Sequence, residues 1–485
     1  MGSLGVQRVA SLGERVSRGR WRGGPLTRSI MRIVILGAGE TGYHLARRLS
    51  YEQQEVIIVD RDQERIALVE ETLDVQTLVG GGSSPTVLRQ SGIETASMFV
   101  AVTDSDEVNL VACFVGGKLN RSMKKVARLR HEDYYDLPEI LDENHLGVDL
   151  VISPEVEAVK RLLNVLEIPV AIDVIDFAEG RVKLVGIRLP PDSSLVGKSL
   201  VKLRDEYPER KLFIPAILRE SEVLIPKGHD VLRANDAIYL MAPVESLQKA
   251  MEIAGGVAKK PKKFFIVGGS TVGLKIAQEL ERRGFVQITL TEADPVRCQE
   301  IAAMLDHTLV LNSETVDEPF LRGEGVGEAD VFMAVTEDDE HNALVALLAK
   351  RVGASRVAAL TNKVDYHRLL SAVGIDIVVN PRLTAASRIL QYIRKGKVIS
   401  VSMLPGEEVE ALEFEAMETS RLVGKPLRKL KFPKGAILGG VERAGDFFIP
   451  DGDTRIEPGD RTVFFASKDA IANVERLVTV GLSFF

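Results

Sequence analysis

The segment Met31-Arg-Ile-Val-Ile-Leu-Gly37-Ala-Gly39-Glu-Thr-Gly42 joins a short apolar strand to a glycine turn. The next residues, Tyr43 to Ser50, have helical spacing, and a second apolar strand, Glu55 to Asp60, follows them directly. A strand, a glycine turn, a helix and a second strand that ends in an acidic residue are the parts of a nucleotide-binding βαβ unit. The segment therefore predicts an α/β domain with a doubly wound parallel sheet.

The glycine turn predicts a phosphate site, because glycine lets the backbone approach a phosphate and the helix N-terminus offers free N–H groups. The candidate contacts are Gly37, Ala38, Gly39, Glu40, Thr41 and Gly42. Asp60 lies 18 residues past the last glycine, where a carboxylate accepts hydrogen bonds from both ribose hydroxyls. That carboxylate favours NAD, ATP or ADP over NADP, although the adjacent Arg61 weakens this preference. A turn that is glycine-rich only for packing is the alternative.

The same pattern returns 231 residues later, from Gly268 to Gly273. The run Ala101 to Asn109 is likewise echoed by Ala334 to Asn342, at an offset of 233 residues. Offsets that drift by a few residues are typical of duplicated domains whose loops differ in length. The chain is therefore interpreted as one unit written twice.

Each unit divides into a strand–helix alternation, which predicts a Rossmann-like parallel sheet, and a smaller piece of short strands and turns, which predicts an α+β domain. The predicted boundaries are an extension over 1–30, a first Rossmann-like domain over 31–150 with its smaller domain and linker helix over 151–258, and a second Rossmann-like domain over 262–380 with its smaller domain and linker helix over 381–485.

The second glycine motif is degraded, since Ser270 replaces the middle glycine and Glu292 stands at the acidic position. A Cβ at residue 270 crowds a pyrophosphate, whereas Glu292 keeps a ribose contact available. The candidate contacts of this second site are Gly268, Gly269, Ser270, Thr271, Val272 and Glu292.

Arg128 and Arg130 alternate along a short predicted strand, so both guanidinium groups are expected on one face near its carboxyl end. There they could clamp a di- or triphosphate by charge-assisted hydrogen bonds. The alternative is a solvated pair that balances Glu132 and Asp133. In the alignment of the two units, Ala359 and Thr361 correspond to these residues, so the second unit lacks both arginines.

Thr103 and Asp104 follow an apolar strand, as Thr336 and Glu337 do in the second unit. These positions place them as polar loop groups over a cofactor, with Asn109 in the first turn of the next helix. Capping of that helix is an equally good reading of the same side chains.

The composition excludes several classes of function. A formal net charge of −7 argues against a nucleic-acid binder, and Cys113 and Cys298 have no zinc or disulfide spacing. No window reaches the roughly 18 consecutive apolar residues of a membrane-spanning helix. Residues 1–30 are arginine-rich and acid-poor, which fits a targeting peptide, a disordered extension, or a start codon assigned too early with Met31 as the real start. No metal-ligand spacing, catalytic triad or P-loop occurs, so a binding protein without catalysis is expected.

The glycine motifs, the run from Ala101 to Asn109, the strand Val126 to Arg130, and the turn Leu195 to Leu200 with its repeat together resemble the TrkA family. These proteins are regulatory subunits of Trk potassium-uptake systems, built from two tandem RCK (regulator of potassium conductance) units. The resemblance runs from Met31 to Phe485. It implies a cytoplasmic homotetramer on the inner face of the membrane, docked under a Trk-type potassium channel subunit and biased by NAD(H) or ATP/ADP.

Carried over by motif, the resemblance implies that Gly37 to Thr41 hold the cofactor phosphates and Asp60 the ribose. Thr103 and Asp104 would lie over the nucleotide, and Arg128 would contact it. The nucleotide is expected to bridge two faces of an RCK domain or a domain interface. Two other readings remain open, an NAD-dependent oxidoreductase and an RCK-like sensor for a different cation transporter.

Overall fold

The structure is a computed structural model that describes residues 30–131, 134, 138–142, 145–207, 213–220, 222–254, 260–393, 398–404 and 408–478. The predicted extension over 1–30 therefore lies outside the described residues except for Ile30. Within the described ranges, no helix combines the length and the apolar character needed to cross a membrane.

The first unit opens with a parallel sheet of six strands, in the order β3-β2-β1-β4-β5-β6 over the described residues. Its elements are β1 (Arg32–Leu36), α1 (Glu40–Tyr51), β2 (Glu55–Asp60), α2 (Gln63–Thr72), β3 (Gln76–Val79), α3 (Pro85–Gln90), β4 (Met98–Ala101), α4 (Asp106–Leu119), β5 (Lys124–Arg128), α5 (Pro138–Leu141) and β6 (Leu150–Ile152). The strand order reverses between β1 and β4, and ligands of such sheets bind at that point.

The apolar runs form these strands because both faces of the sheet are covered. Ile33, Val34 and Ile35 are fully buried, and the helices supply apolar side chains to both sides. The last strand, β6, pairs with β5 through Arg128 and Ile152, so the first sheet extends two residues past the boundary placed at 150.

An antiparallel domain follows, with the strand order β10-β9-β11-β8-β7 in the described residues. Its elements are α6 (Pro154–Leu166), β7 (Ala171–Phe177), β8 (Val182–Arg188), α7 (Leu200–Glu206), β9 (Phe213–Arg219), β10 (Glu222–Leu224), β11 (Ala237–Pro243) and α8 (Val244–Ile253).

The second unit repeats both sheets, in the orders β14-β13-β12-β15-β16-β17 and β18-β19-β22-β20-β21. Its elements are β12 (Lys263–Val267), α9 (Thr271–Arg282), β13 (Gln287–Glu292), α10 (Pro295–Ala303), β14 (Leu309–Asn312), α11 (Glu318–Gly323), β15 (Val331–Ala334), α12 (Asp339–Val352), β16 (Val357–Leu360), α13 (Val364–Ala372), β17 (Ile377–Val379), α14 (Pro381–Ile393), β18 (Ser400–Met403), β19 (Val409–Glu415), β20 (Ala436–Arg443), β21 (Asp446–Phe448), β22 (Arg461–Ser467) and α15 (Lys468–Val478). The predicted fold class, two doubly wound parallel sheets that are each followed by a small α+β domain, is confirmed.

The two units exchange helices. Helix α6, which leaves the first sheet, shares a core with strands and helices of the second Rossmann-like domain. Helix α14, which leaves the second sheet, packs Ile389 and Leu390 into the core of the first, against Leu45 of α1. The two smaller domains share a further core, in which Tyr239 and Phe465 are buried. The units are therefore joined by continuous apolar packing.

Candidate nucleotide-binding site

The three glycines of the first turn have different structural roles. Gly37 has φ of 107°, and a Cβ there would lie 3.0 Å from the backbone of Thr103. A Cβ on Gly42 would lie 1.8 Å from the carbonyl oxygen of Gly37. The packing alternative therefore accounts for Gly37 and Gly42.

Gly39 is not constrained in this way. A Cβ added there would meet only Nη1 of Arg65, at 3.7 Å. Gly39 is the N-cap of α1, and having no side chain it supplies no capping acceptor. The first N–H groups of α1 are thus left for an external anion. The neighbouring Thr41 hydroxyl is buried and has no hydrogen-bond partner among the described residues.

Asp60 fixes this loop from the end of β2. Its Oδ2 accepts the N–H of Ala38 at 2.6 Å, and its Oδ1 accepts the N–H of Asp62 at 2.9 Å. The carboxylate is buried yet lines the cleft above the loop. Each carboxylate oxygen has a second acceptor site, so a ribose contact stays available beside the structural role.

Thr103 and Asp104 lie at the carboxyl end of β4 and line the same cleft. The Thr103 hydroxyl donates to Oδ1 of Asn109 at 2.7 Å, and the Asn109 amide donates to the carbonyl of Arg128 at 2.8 Å. Asn109 is fully buried, so this bridge ties the ends of β4 and β5 together. The cap of α4 is the Ser105 side chain, which accepts the N–H of Val108.

Arg128 and Arg130 both line the cleft, but they differ in burial. Arg128 ends β5 and is 9% exposed, with Nη2 3.6 Å from Glu155 Oε1. Burial lowers the pKa of Arg128; Glu155 opposes this, and the charge of Arg130 adds to it. Arg130 lies beyond the strand with an exposed side chain, and its N–H donates to Asp106. Glu132 and Asp133 lie outside the described residues, and the burial of Arg128 speaks against a solvated pair.

The cleft has a volume of about 1010 Å³. Its lining includes the glycine loop, Asp60, Thr103 and Arg128. Glu40 also lines it, and its carboxylate is 3.2 Å from Nε2 of His44. The lining that the sequence did not predict includes Arg47, Arg65, the loop Gly80 to Ser83, Lys363, Tyr366 and Arg382. A glycine-rich run directly after β3 could have indicated the loop, whereas no local signal marks the residues of the second unit.

The second glycine loop has the same backbone conformation, but one of its own side chains caps the following helix. Gly268 has φ of 108°, and a Cβ on Gly273 would lie 1.9 Å from the carbonyl oxygen of Gly268. The Ser270 hydroxyl donates to the carbonyl of Val335 at 2.9 Å and accepts the N–H of Gly273 at 3.5 Å. Helix α9 is thus capped by its own side chain, whereas the cap of α1 is bare.

Glu292 occupies the position of Asp60. Its Oε2 accepts the N–H of Gly269 at 2.7 Å, and its Oε1 accepts the N–H of Asp294 at 2.9 Å. Thr271 and Val272 begin α9; Thr271 is exposed, but Val272 is buried in the hydrophobic core. Only the backbone of Val272 could therefore face a ligand.

The alignment of the arginine strand was wrong by one residue. Ala334 pairs with Ala359 as Ala101 pairs with Ala127, which makes Leu360 the counterpart of Arg128. The amide of Asn342 confirms this register, because it donates to Leu360 as that of Asn109 donates to Arg128. The second unit therefore has Leu360 and Asn362 at the two arginine positions, and it still lacks both charges. A slip of one residue exchanges the faces of a strand.

Comparison with protein families decides the relationship. The TrkA-N domain matches residues 33–154 and 264–381, and the TrkA-C domain matches residues 184–255 and 411–479. The chain belongs to the TrkA family. These matches contain both glycine loops, so the TrkA-N domain is the Rossmann-like domain of each unit.

Relatives in the TrkA family are similar over nearly their whole length. The Trk system potassium uptake protein TrkA of Azorhizobium caulinodans is 39% identical over 94% of this chain and 100% of its own. The Trk system potassium uptake protein TrkA homolog 1 of Methanosarcina mazei is 36% identical over 92% and 99% of the respective chains.

Solved structures show the same fold at lower identity. The GsuK RCK domain has a TM-score of 0.56 at 19% identity and covers 94% of this chain and 98% of its own. A GsuK channel bound to NAD has a TM-score of 0.57 at 18% identity, covering 92% and 79% of the two chains. The tandem arrangement found here is therefore that of RCK domains.

Proposed function

We propose that this chain is the nucleotide-binding regulatory subunit of a Trk potassium transport system. It binds NAD(H) or ATP/ADP in the cleft of the first unit and gates a membrane potassium channel subunit from the cytoplasmic side. The names of the TrkA relatives support the transport role. The GsuK channel bound to NAD supports a dinucleotide as one ligand of this fold.

One observation carries the nucleotide proposal. The bare N-terminus of α1 opens into a cleft of about 1010 Å³ that has Asp60 at one wall and Arg128 at another. A helix N-terminus and convergent guanidinium groups favour phosphates, and a carboxylate at the end of β2 suits a ribose. These groups together supply contacts for the phosphates and for the ribose of a nucleotide.

A ligand regulates a partner only through its different affinities for two shapes of the protein. The cleft is lined by both units, so a nucleotide there can favour one relative position of the units over another. That change of position is the signal proposed to reach the channel subunit.

We propose a homotetramer as the working form. Val111 and Phe114 on α4 are 46% and 41% exposed, and Leu344, at the corresponding place on α12, is 64% exposed. Exposed apolar side chains at matching positions of both units are typical of self-association surfaces. Measurement of the mass in solution by light scattering tests this part.

The nucleotide site is tested by calorimetric titration of NAD⁺, NADH, ATP and ADP into the wild type and three variants. Gly39→Ser gives the first loop the self-capping side chain of the second and is expected to weaken binding on the order of 10-fold. Arg128→Ala removes a charged contact and is expected to cost about 10- to 100-fold. Ser270→Gly, the matched control, should leave binding at the first cleft unchanged.

Undiminished binding in both Gly39→Ser and Arg128→Ala would rule out the first cleft as the site. Co-purification with a multi-spanning potassium channel subunit tests the partner, and recovery of a different cation transporter would contradict the Trk assignment. A substrate-dependent change in nicotinamide absorbance would instead favour an oxidoreductase.

A further inference from the structure

The cleft of the first unit is completed by the second unit. Lys363 and Tyr366 approach it from the start of α13, and Arg382 approaches it from the start of α14. Lys363 and Tyr366 are already occupied, because both bond to Glu340. Arg382 does not share this contact with Glu340.

Arg382 is half-buried, and its guanidinium makes no hydrogen bond or ion pair within the described ranges. Its charge acts on two groups of the first unit, since it lowers the pKa of Arg128 and that of Glu40. Arg382 thus lies close enough to Arg128 for the two like charges to oppose each other.

The positive charge in this cleft is only partly offset by the protein. Arg128, Arg130 and Arg382 all line it. Nη2 of Arg128 is 3.6 Å from Oε1 of Glu155, and Glu40 attracts Arg382. The Nε–H of Arg128 is buried without an acceptor among the described residues. A buried N–H group without an acceptor is costly, and a bound anion that accepts from it would remove that cost.

We infer that Arg382 is a phosphate-binding residue of the first site, and that it holds the terminal phosphate of a nucleoside triphosphate against Arg128. The inference rests on the proposed nucleotide-binding function and adds to it the class of ligand that is distinguished. ATP carries a third phosphate, and ADP and NAD⁺ lack it. The second unit therefore serves as the part of the site that senses phosphate number.

Comparison of the two units explains why only the cleft of the first unit has the residues for such a phosphate clamp. Arg382 follows Pro381 at the start of α14, and its counterpart Glu155 follows Pro154 at the start of α6. Glu155 lies beside Arg128, so the equivalent positions carry opposite charges near one cleft. Leu360, which replaces Arg128 in the second unit, offers no charge for a mirrored clamp.

The clamp also connects the ligand to the rest of the molecule. Helix α14 packs against α1, which bears the glycine loop, and it leads toward β18 of the last domain. A phosphate held between Arg128 and Arg382 would draw the start of α14 toward the first sheet. Binding of a triphosphate would thereby be coupled to the position of the second unit.

The test is calorimetric titration of ATP, ADP and NAD⁺ into the full chain, the Arg382→Ala variant and the Arg388→Ala variant. Arg388 lies on the same helix with an exposed side chain bonded to Gln391, and it does not line the cleft. Arg382→Ala is expected to weaken ATP binding about 10- to 100-fold and to change ADP and NAD⁺ binding less than about 3-fold. Arg388→Ala should change none of the three.

Equal ATP affinity in the wild type and Arg382→Ala would overturn the inference, as would an equal loss for all three nucleotides. If the wild type binds none of them, the proposed function itself fails, which is a separate result. Thermal unfolding without nucleotide gives a second readout. Because Arg382 repels Arg128 but attracts Glu40, Arg382→Ala should change the melting temperature little. A large fall, together with an equal loss of affinity for all three nucleotides, would show a structural role and contradict the inference.

Discussion

At the scale of single residues, the two glycine loops show how one side chain separates an open site from a closed one. Gly39 leaves the N-terminus of α1 bare, whereas Ser270 caps α9 and bonds the end of β15. Asp60 and Glu292 hold both loops in the same way. The difference between the sites therefore comes from residues 39 and 270 and from the charges that face them.

The two kinds of glycine can be told apart by stability. A Cβ on Gly42 would overlap the carbonyl oxygen of Gly37, so Gly42→Ala is expected to lower the free energy of unfolding by about 1–3 kcal/mol. Gly39 has φ of −67°, which other residues adopt freely, so Gly39→Ala should change it by less than about 1 kcal/mol. Urea denaturation without nucleotide measures both. Similar losses in the two variants would contradict the assignment of Gly39 to ligand access.

At the scale of elements, helices α6 and α14 join the two units, because each packs into the core of the opposite unit. Helix α6 continues from the first sheet, but it packs on α9 of the second Rossmann-like domain. A polar contact accompanies this packing, because Arg283 bonds Glu167 at 3.0 Å and Glu279 at 2.9 Å. The two helices that were predicted as linkers, α6 and α14, are therefore packed into the hydrophobic cores of the domains.

The hydrogen bonds that Glu279 accepts predict that the stability of the protein depends on pH. The hydrogen bond from Arg282, aided by Arg283, lowers the pKa of Glu279 from 4.5 to about 2. A carboxylate whose pKa is lowered on folding stabilises the folded state above its unfolded pKa, and that stability is lost as the pH falls toward the folded value. Glu279→Gln should therefore lower stability near pH 6, and its difference from the wild type should shrink from about pH 4.5 downward.

Urea denaturation at a series of pH values between about 6 and 3 measures this difference. Glu245→Gln is a suitable control, because Glu245 is exposed and makes no ion pair within the described residues. A difference for Glu279→Gln that stays constant across the range would show that Glu279 contributes through packing and not through its charge.

At the scale of the whole molecule, a buried ion pair joins the beginning of the chain to its last domain. Arg48 of α1 forms an ion pair with Glu410 of β19, and the two are 6% and 0% exposed. Nε of Arg48 is also 3.4 Å from Glu52. The helix that presents the first glycine loop is thereby fixed to the second small domain.

Removing one partner of this pair leaves the other charge buried. Glu410→Ala is expected to lower the free energy of unfolding by about 1–3 kcal/mol, because the buried Arg48 guanidinium would keep only Glu52 as an ion-pair partner among the described residues. Replacing all three charges, with Arg48→Met, Glu52→Gln and Glu410→Leu together, should cost less than the single change. Chemical denaturation of the two variants measures this, and a triple variant less stable than Glu410→Ala would contradict the charge argument.

The sequence by itself determined the repeat, the order of strands and helices, and the glycine loops, because these depend on local periodicity and on residues close together in the chain. It also placed Asp60, Thr103 and Arg128 at one sheet edge, since the carboxyl ends of parallel strands meet there. The alignment of the two units from sequence alone was wrong by one residue at the strand that bears Arg128. That strand is short and apolar, so its residues carry no signal for its register.

Only the tertiary structure decided which half of the molecule completes the cleft. Arg382 lies 254 residues beyond Arg128 in the chain, and no spacing rule connects them. Their approach depends on the packing of α14 against α1, which is determined by the apolar surface that both units bury together. Packing of that kind sums many weak contacts between distant segments, so it is absent from any local pattern of residues.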